Sequence, residues 1–290
     1  MTKHLSTFSA ISVALLLGMG TALADNGNGH GGGHGGGHGG GHGESSFGDN
    51  QVTINQSDEF NMASVAQEGR ELEATITQSG LFHTAYVEQE GRASEVTIEQ
   101  SGTANYADVN RRGRDGEVTI SQSGSFQRVD AIQRGREGSM DIDQQGSDNY
   151  AWVDQRGREG TIELMQDGYF NVTDIVQRGN GGSIELTQDG DMNYGYIEQR
   201  GRDGEVDILQ AGVLNRSEVW QSGRENSMDI MQDGFWNEAY VYQAGRENMA
   251  EVNQTGSYHV AIVEQADRGN SAMVNQTGFA NIAYVEQSAR

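Results

Sequence analysis

The chain has 290 residues, with 42 glycines, no proline, no cysteine and only 34% hydrophobic residues. This composition argues against a globular domain with a thick hydrophobic core, and the absence of cysteine excludes disulfide bonds as a source of stability. Acidic residues outnumber lysine and arginine by 42 to 19, for a formal net charge of −23, so we expect no specific binding to nucleic acid.

Residues 1–24 have the pattern of a secretory signal peptide. Lys3 precedes an apolar run from Ile11 to Leu17, and Ala22-Leu23-Ala24 forms a small-residue cleavage signal. The apolar run is too short to span a membrane. We therefore expect the mature chain to be exported from the cytoplasm.

Residues 25–49 form a Gly/His-rich segment with almost no apolar side chains, a composition typical of disorder. Imidazoles recur at every fourth position and are candidate ligands for Zn, Cu or Ni. A flexible tether fixes no coordination geometry, so we interpret the segment as an export-targeting leader and expect no cofactor. The candidate metal ligands are His30, His34, His38 and His42.

Residues 50–290 repeat every 22 positions without insertion or deletion. The eleven repeats follow the pattern V-x-I-x-Q-x-G-x-x-N-x and then A-x-V-x-Q-x-G-R-x-x-x, with departures at single positions. An 11-residue half-period is compatible with a right-handed coiled coil, but glycine recurs about every eleven residues and each one would cost up to about 1 kcal/mol in a helix. The period-two alternation of β-branched residues between glycine turns instead predicts strand, turn, strand and turn.

One such unit cannot bury its own inner face, whereas identical units stacked in register bury a continuous interior. We therefore predict an all-β fold, a two-sheet β-solenoid of eleven stacked strand-turn-strand repeats with the cross-β geometry of an amyloid subunit. At about 4.8 Å per rung, eleven rungs would extend to roughly 53 Å.

Inward-facing amides are a second consequence of the repeat. Gln occupies the same strand position in every half-repeat except one, where Arg111 replaces it. A buried amide without partners costs several kcal/mol, so each amide is expected to donate to one neighbour and accept from the other, as in amyloid ladders. Asn forms a third column. The predicted ladder residues include Gln56, Gln67, Gln78, Gln89, Gln144, Gln155, Gln166, Gln177, Gln276 and Gln287, with Asn61, Asn149 and Asn281.

The repeat resembles that of the curlin family, S-x5-Q-x-G-x2-N-x-A-x3-Q, over all eleven units. Gln144, Gly146, Asn149, Ala151 and Gln155 match that motif. The main departure is at the opening Ser of the motif, which is present only as Ser94. The loss of this Ser in the other repeats affects one minor side-chain ladder. The other residues at that position are Asn50, Leu72, Gly116, Gly138, Gly160, Gly182, Gly204, Asn226, Asn248 and Asn270. His83, Gln127 and His259 also depart, replacing Asn.

The resemblance implies a structural subunit that polymerises with itself into curli-type amyloid fibres, which support biofilm matrix, adhesion and cell aggregation. It implies a location in extracellular fibres on the surface of a Gram-negative bacterium. It also implies a nucleator subunit, an outer-membrane export channel and periplasmic chaperones as partners.

An outward column of carboxylates runs through six consecutive rungs, where like charges stack and repel. It comprises Asp141, Glu163, Glu185, Asp207, Asp229 and Glu251. Curlin-family members are thought to use central acidic residues as gatekeepers that slow amyloid formation, and this distribution is similar. The resemblance therefore implies a gatekeeper role for Asp141, Asp207 and Asp229.

A fibre subunit is the function that the sequence favours, because we expect no polar cap after Gln287, and uncapped solenoids expose strand edges that can stack into filaments. An enzyme would show a cluster that interrupts the repeat. His83 and His259 lie eight rungs, roughly 38 Å, apart, so we expect no enzymatic activity. Two alternatives stay open: a soluble secreted β-solenoid that binds a surface ligand or divalent cations, and the minor nucleator subunit of the same fibre.

Overall fold

A computed structural model describes residues 49–288, and every regular element within them is a β-strand. The predicted signal peptide, residues 1–24, and the four leader histidines lie outside the described residues. No helix in this part of the chain could cross a membrane. The first nine strands are β1 Gln51–Ser57, β2 Met62–Leu81, β3 Thr84–Thr103, β4 Tyr106–Arg114, β5 Glu117–Ser125, β6 Arg128–Arg136, β7 Ser139–Ser147, β8 Tyr150–Tyr169 and β9 Val172–Asp191. The other eight are β10 Tyr194–Val213, β11 Arg216–Arg224, β12 Ser227–Phe235, β13 Glu238–Arg246, β14 Met249–Ser257, β15 Val260–Ala266, β16 Ser271–Phe279 and β17 Ile282–Ser288.

The strand pairs are parallel and keep one register, in which each residue lies beside the residue 22 positions later. Ala63 pairs with Ala85 and Gln67 with Gln89, for example. This arrangement confirms the predicted all-β solenoid of about eleven turns of about 22 residues. Each turn of the solenoid, here called a rung, has a first arm that ends at a Gly-x-x-Asn turn and a second arm that ends at a Gly-Arg turn.

Hydrogen bonding between rungs continues around several Gly-Arg turns. For this reason β2, β3, β8, β9 and β10 are 20 residues long and join the second arm of one rung to the first arm of the next. The remaining strands have seven or nine residues and cover one arm each. Whether a strand ends at a turn or continues through it thus depends on the local geometry of that turn. The stacking between rungs is the same in both cases.

The core is a narrow double row of small and medium apolar side chains. Inward residues alternate with outward ones along both arms, so that Ile76, Ile98 and Ile120 stack in the first arm and Val87 and Val109 in the second, all at most 3% exposed. Burial declines at the two ends. The partly buried residues there are Val52, Ile54, Ala63, Ala283 and Val285.

The turns depend on glycine because the backbones of successive rungs approach closely. Gly157 has a φ of +146°, and a Cβ on it would lie well inside the 3.0 Å that real Cβ contacts keep from the carbonyl of Gly179. Two residues later, Glu159 has a φ of 54°, and residues of several types occupy that position in other rungs. The first of these turn positions therefore requires glycine and the second does not.

Candidate functional site

The first-arm glutamines form an unbroken hydrogen-bonded column along the solenoid. Each Nε2 donates to the Oε1 of the glutamine 22 residues later, from Gln56 through Gln78, Gln144 and Gln166 to Gln276, at 2.6–2.9 Å in all ten links. The same Nε2 also donates to a carbonyl 16 residues earlier, as Gln78 does to Met62 at 3.1 Å. Both amide protons and the amide oxygen are therefore satisfied in the interior.

The second-arm glutamines form a similar column with one break. Gln67 donates to Gln89 at 2.8 Å, and Gln155 donates to Gln177 at 2.9 Å. Between these two pairs the column is interrupted at Arg111. The remaining links continue to Gln287 at 2.8–3.2 Å.

The asparagines of the first turn tie three backbone segments together. Nδ2 of Asn149 donates to the carbonyls of Gln145 at 2.7 Å and Gly168 at 3.1 Å, and its Oδ1 accepts the N–H of Asn171 at 3.0 Å. Asn61 makes the equivalent contacts at the N-terminal end. At the other end, Nδ2 of Asn281 donates to the carbonyl of Thr277 at 2.7 Å.

The residues that replace Asn in this column keep much of its bonding. Nδ1 of His83 accepts the N–H of Asn105 at 3.3 Å, and Nε2 donates to the carbonyl of Ser79 at 3.0 Å. This pattern requires a neutral ring, and burial lowers the pKa of His83 accordingly. His259 makes the same pair of contacts, with Asn281 and Thr255. The two histidines preserve the column, whereas Oε1 of Gln127 is buried without a hydrogen-bond partner.

A second asparagine column lies at the Gly-Arg turn, and the sequence reasoning missed it. Asn226, Asn248 and Asn270 are departures from the family Ser, yet the Oδ1 of each of the first two accepts the N–H of the next at 3.0 Å. Nδ2 of Asn226 donates to the carbonyl of Ser222 at 2.8 Å. The 22-residue spacing of the three residues was the available signal.

The predicted gatekeeper residues lie in one outward column. Asp141 pairs in register with Glu163, and Asp207 with Asp229. Burial, and then the charge of Glu163, raise the pKa of Asp141. Burial and Asp207 likewise raise the pKa of Asp229. The shifts indicate that the ionised column is under mutual repulsion.

The two turn edges carry different surfaces. The Gly-x-x-Asn edge exposes aromatic rings, such as Phe82 and Phe170, each 54% exposed. The Gly-Arg edge exposes guanidinium groups, some of which pair across rungs, as Arg92 does with Glu71 at 3.4 Å. Residues 49–288 hold no cluster of three or more His, Asp or Glu side chains that could bind a metal ion.

The ends of the solenoid present complementary halves of the same columns. In every link between two glutamines Nε2 donates towards the C-terminal end, and at the N-terminal end the buried Oε1 of Gln67 has no partner among residues 49–288. At the C-terminal end, and among residues 49–288, Nε2 of Gln287 donates only to the carbonyl of Ser271 at 2.9 Å, and Nε2 of Gln276 only to that of Val260 at 3.1 Å. One end therefore offers acceptors and the other offers donors.

Replacing Gln122 by Leu should destabilise the solenoid more than replacing Gln166 by Leu. Either change removes one acceptor and one donor from a column, at about 1–3 kcal/mol per buried group left unsatisfied. At Gln166, the hydroxyl of Thr173 lies beside the column and contacts Oε1 of Gln188 at 3.0 Å. Gln188 therefore keeps a donor in the Gln166→Leu variant. The denaturant midpoint of Gln122→Leu should accordingly be lower than that of Gln166→Leu.

The matched control removes that hydroxyl. Val129 occupies the position equivalent to Thr173 in the rung of Gln122, so Gln144 has no substitute donor there. Adding Thr173→Val to Gln166→Leu should bring its midpoint down to that of Gln122→Leu. Equal midpoints for the two single variants would contradict the role assigned to the hydroxyl.

Comparison with known protein families identifies a known repeat in several segments of the chain. The model of the curlin associated repeat matches residues 49–80, 69–102, 91–124, 157–190, 183–212 and 223–256. A comparison with curated proteins finds none that matches the chain. The repeat matches together span more than half of the chain, which therefore belongs to the curlin family.

Proposed function

We propose that this chain is a secreted structural subunit that polymerises head to tail into curli-type extracellular amyloid fibres. The observation that carries the proposal is the complementarity of the two ends. A second copy placed on the C-terminal end would offer the Oε1 atoms of Gln56 and Gln67 to the Nε2 atoms of Gln276 and Gln287. Such a contact joins unlike surfaces and does not close, so it generates a filament.

The apolar residues of the end rungs support the same contact. Val52 and Ile54 at one end, and Ala283 and Val285 at the other, are partly buried, whereas their equivalents in internal rungs are fully enclosed. Stacking would enclose them, at about 25 cal/mol per Å² of apolar surface removed from water. β1 and β17 are also edge strands, paired on one side only by the residues described.

Location and partners complete the proposal. We place the fibre outside the cell, in the biofilm matrix of a Gram-negative bacterium, where it supports adhesion and cell aggregation. A nucleator subunit, an outer-membrane export channel and periplasmic chaperones would serve its secretion and assembly. Among fibre components, the polymerising subunit is favoured over the nucleator because the first-arm glutamine column runs without a break from one end to the other.

The experiment is assembly of the purified mature chain on dilution from denaturant. Electron microscopy should show unbranched filaments, and fibre diffraction should show a meridional reflection near 4.8 Å, the spacing between rungs. Filament fragments should seed further growth. A chain that stays monomeric across a wide range of concentration and ionic strength, even with seeds, would overturn the proposal.

The acidic column should act as a brake on this assembly. Replacing Asp141, Asp207 and Asp229 together by Asn removes like-charge neighbours that cost on the order of 0.2–1 kcal/mol per pair. The lag measured by dye binding should shorten several-fold. The control is the triple change of Asp148, Asp191 and Asp233 to Asn, which alters net charge equally at positions whose neighbours in the adjacent rungs are uncharged.

Acidification should mimic the substitutions. A carboxyl group whose pKa is raised by folding binds its proton at a higher pH in the solenoid than in the unfolded chain, so the solenoid gains stability as pH falls from neutral. For Asp141 and Asp229 the gain is complete below their ordinary value of 3.8. The triple Asn variant should lose this part of the pH dependence. A lag in that variant equal to that of the wild type at neutral pH would remove the gatekeeper role.

A further inference from the structure

A row of glycines leaves a slot beside the second-arm glutamines. Five consecutive rungs carry Gly where the family motif has Ser, and where three later rungs carry Asn. The slot runs from Arg111 to Asn226, past Gln133 and Gln155, and has a cavity volume of about 20 Å³. One water needs roughly 10–15 Å³ of such space. The slot therefore holds one or two particles of the size of a water molecule.

Arg111 borders one end of this slot with an unsatisfied guanidinium group. The residue is 1% exposed, and neither Nε nor Nη1 has a hydrogen-bond partner. No carboxylate of residues 49–288 forms an ion pair with it. Oε1 of Gln133, the acceptor that a glutamine at position 111 would have bonded, is also buried without a partner. The N–H donors of Arg111 and the acceptor Oε1 of Gln133 thus both lie in residues that line the slot, and they do not bond each other.

The local sequence makes room for this guanidinium. A Cβ on Gly116 would overlap Nη2 of Arg111 and crowd Oε1 of Gln133. The Arg side chain therefore fits only because the neighbouring turn has no side chain at that position. Burial lowers the pKa of Arg111 to about 10, so the group is charged at neutral pH.

A buried charge needs a counter-charge or it costs several kcal/mol. The surroundings of the slot are basic, because Arg134, Arg136 and Arg156 also line it. Asp115 is the carboxylate whose charge acts on Arg111, and it does not reach ion-pair distance. The site is thus positively charged, too narrow for a polymer, and supplied with N–H donors that have no acceptor.

We propose that the Arg111 end of the slot binds a small monovalent anion of chloride size, held by the free N–H groups of the Arg111 guanidinium. Water fills the remaining space and donates to Oε1 of Gln133. The anion replaces the missing glutamine link between the third and fourth rungs. Because the site lies within one subunit, the inference does not depend on assembly.

The test measures chloride binding to the purified mature chain by the line width of the ³⁵Cl resonance, with the fold checked by circular dichroism. The wild-type chain should show excess broadening that saturates and that bromide displaces at constant ionic strength. Arg111→Gln, which restores the family residue, should lose the excess broadening. Arg246→Gln, which removes an exposed guanidinium from the same edge outside the lining of the slot, should retain it.

Stability gives a second readout. Anion binding to the folded state raises the denaturation midpoint with chloride concentration. This rise should be present in the wild type and absent in Arg111→Gln when ionic strength is held with sulfate, a divalent anion larger than chloride. If the broadening of the ³⁵Cl resonance by the wild-type chain does not saturate, that result alone overturns the proposal. Equal saturable broadening in the wild type and Arg111→Gln overturns it as well.

Discussion

Replacing Gly278 by Ala should leave a single solenoid folded but stop filament growth at its C-terminal end. A Cβ on Gly278 meets nothing within 4 Å, whereas one on Gly256, a rung earlier, would collide with the carbonyl of Gly278. In a head-to-tail filament the carbonyl of Asp58 of the incoming subunit takes that place. Overpacking against backbone costs about 1–3 kcal/mol, so seeded elongation should slow by roughly tenfold or more.

The control for this prediction is Gly269→Ala. Gly269 also has a positive φ, +70°, and a Cβ there also meets nothing within 4 Å, but it lies at the Gly-Arg edge, in a column where Glu225 and Glu247 adopt a similar conformation. Both variants should stay folded, and Gly278→Ala should be the less stable of the two because a φ of +97° is less favourable for alanine than one of +70°. Only Gly278→Ala should fail to extend wild-type seeds at the C-terminal end. Normal elongation by Gly278→Ala would exclude stacking through the last rung.

The sequence was sufficient to predict the solenoid because one physical requirement dominates it. In-register stacking demands the same residue type every 22 positions, and the period-two pattern shows which of those positions face inward. The pairing of Gln67 with Gln89 could therefore be written down from spacing alone. The alternation of Val and Ile likewise identified the core residues of both arms.

Other features depend on the shape of the rung and were not predictable from spacing. The repeat identifies a glycine at position 138, but not that Oε1 of Gln155 packs against it where a Cβ would lie. It shows Arg111 as an exception, but not that its guanidinium occupies space released by Gly116. The direction of hydrogen-bond donation along the amide columns is also a three-dimensional property. A spacing of 22 residues does not say which neighbouring glutamine donates and which accepts.

Some residues that depart from the repeat make the same hydrogen bonds as the family residue that they replace. His83 keeps an acceptor and a donor at the positions where Asn has them, although its ring is larger. Asn226 and Asn248 form a bonded column where the family residue is Ser. A motif comparison counts these residues as losses. Hydrogen-bond geometry shows that they preserve the links between rungs.

Replacing Gly157 by Ala should destabilise the solenoid strongly. Its φ of +146° is unfavourable for any residue with a Cβ, and the added carbon would overlap the carbonyl of Gly179, which is backbone and cannot turn away. Strain and overpacking together predict a loss of about 3 kcal/mol or more. The measurement is the denaturant midpoint of the purified chain, with the change located by hydrogen exchange at the Gly-Arg turns.

The matched control lies in the next rung and should respond differently. Gly181 has a φ of +54°, in a column where Glu159 and Asp203 already adopt that conformation, and the atom nearest to an added Cβ is a carboxylate oxygen of Asp203. That side chain is flexible, and alanine restricts the unfolded chain, so Gly181→Ala should change stability by less than about 1 kcal/mol. Comparable losses in the two variants would mean that glycine serves these turns through flexibility. A large loss confined to Gly157→Ala would place the requirement in the close approach of successive rungs.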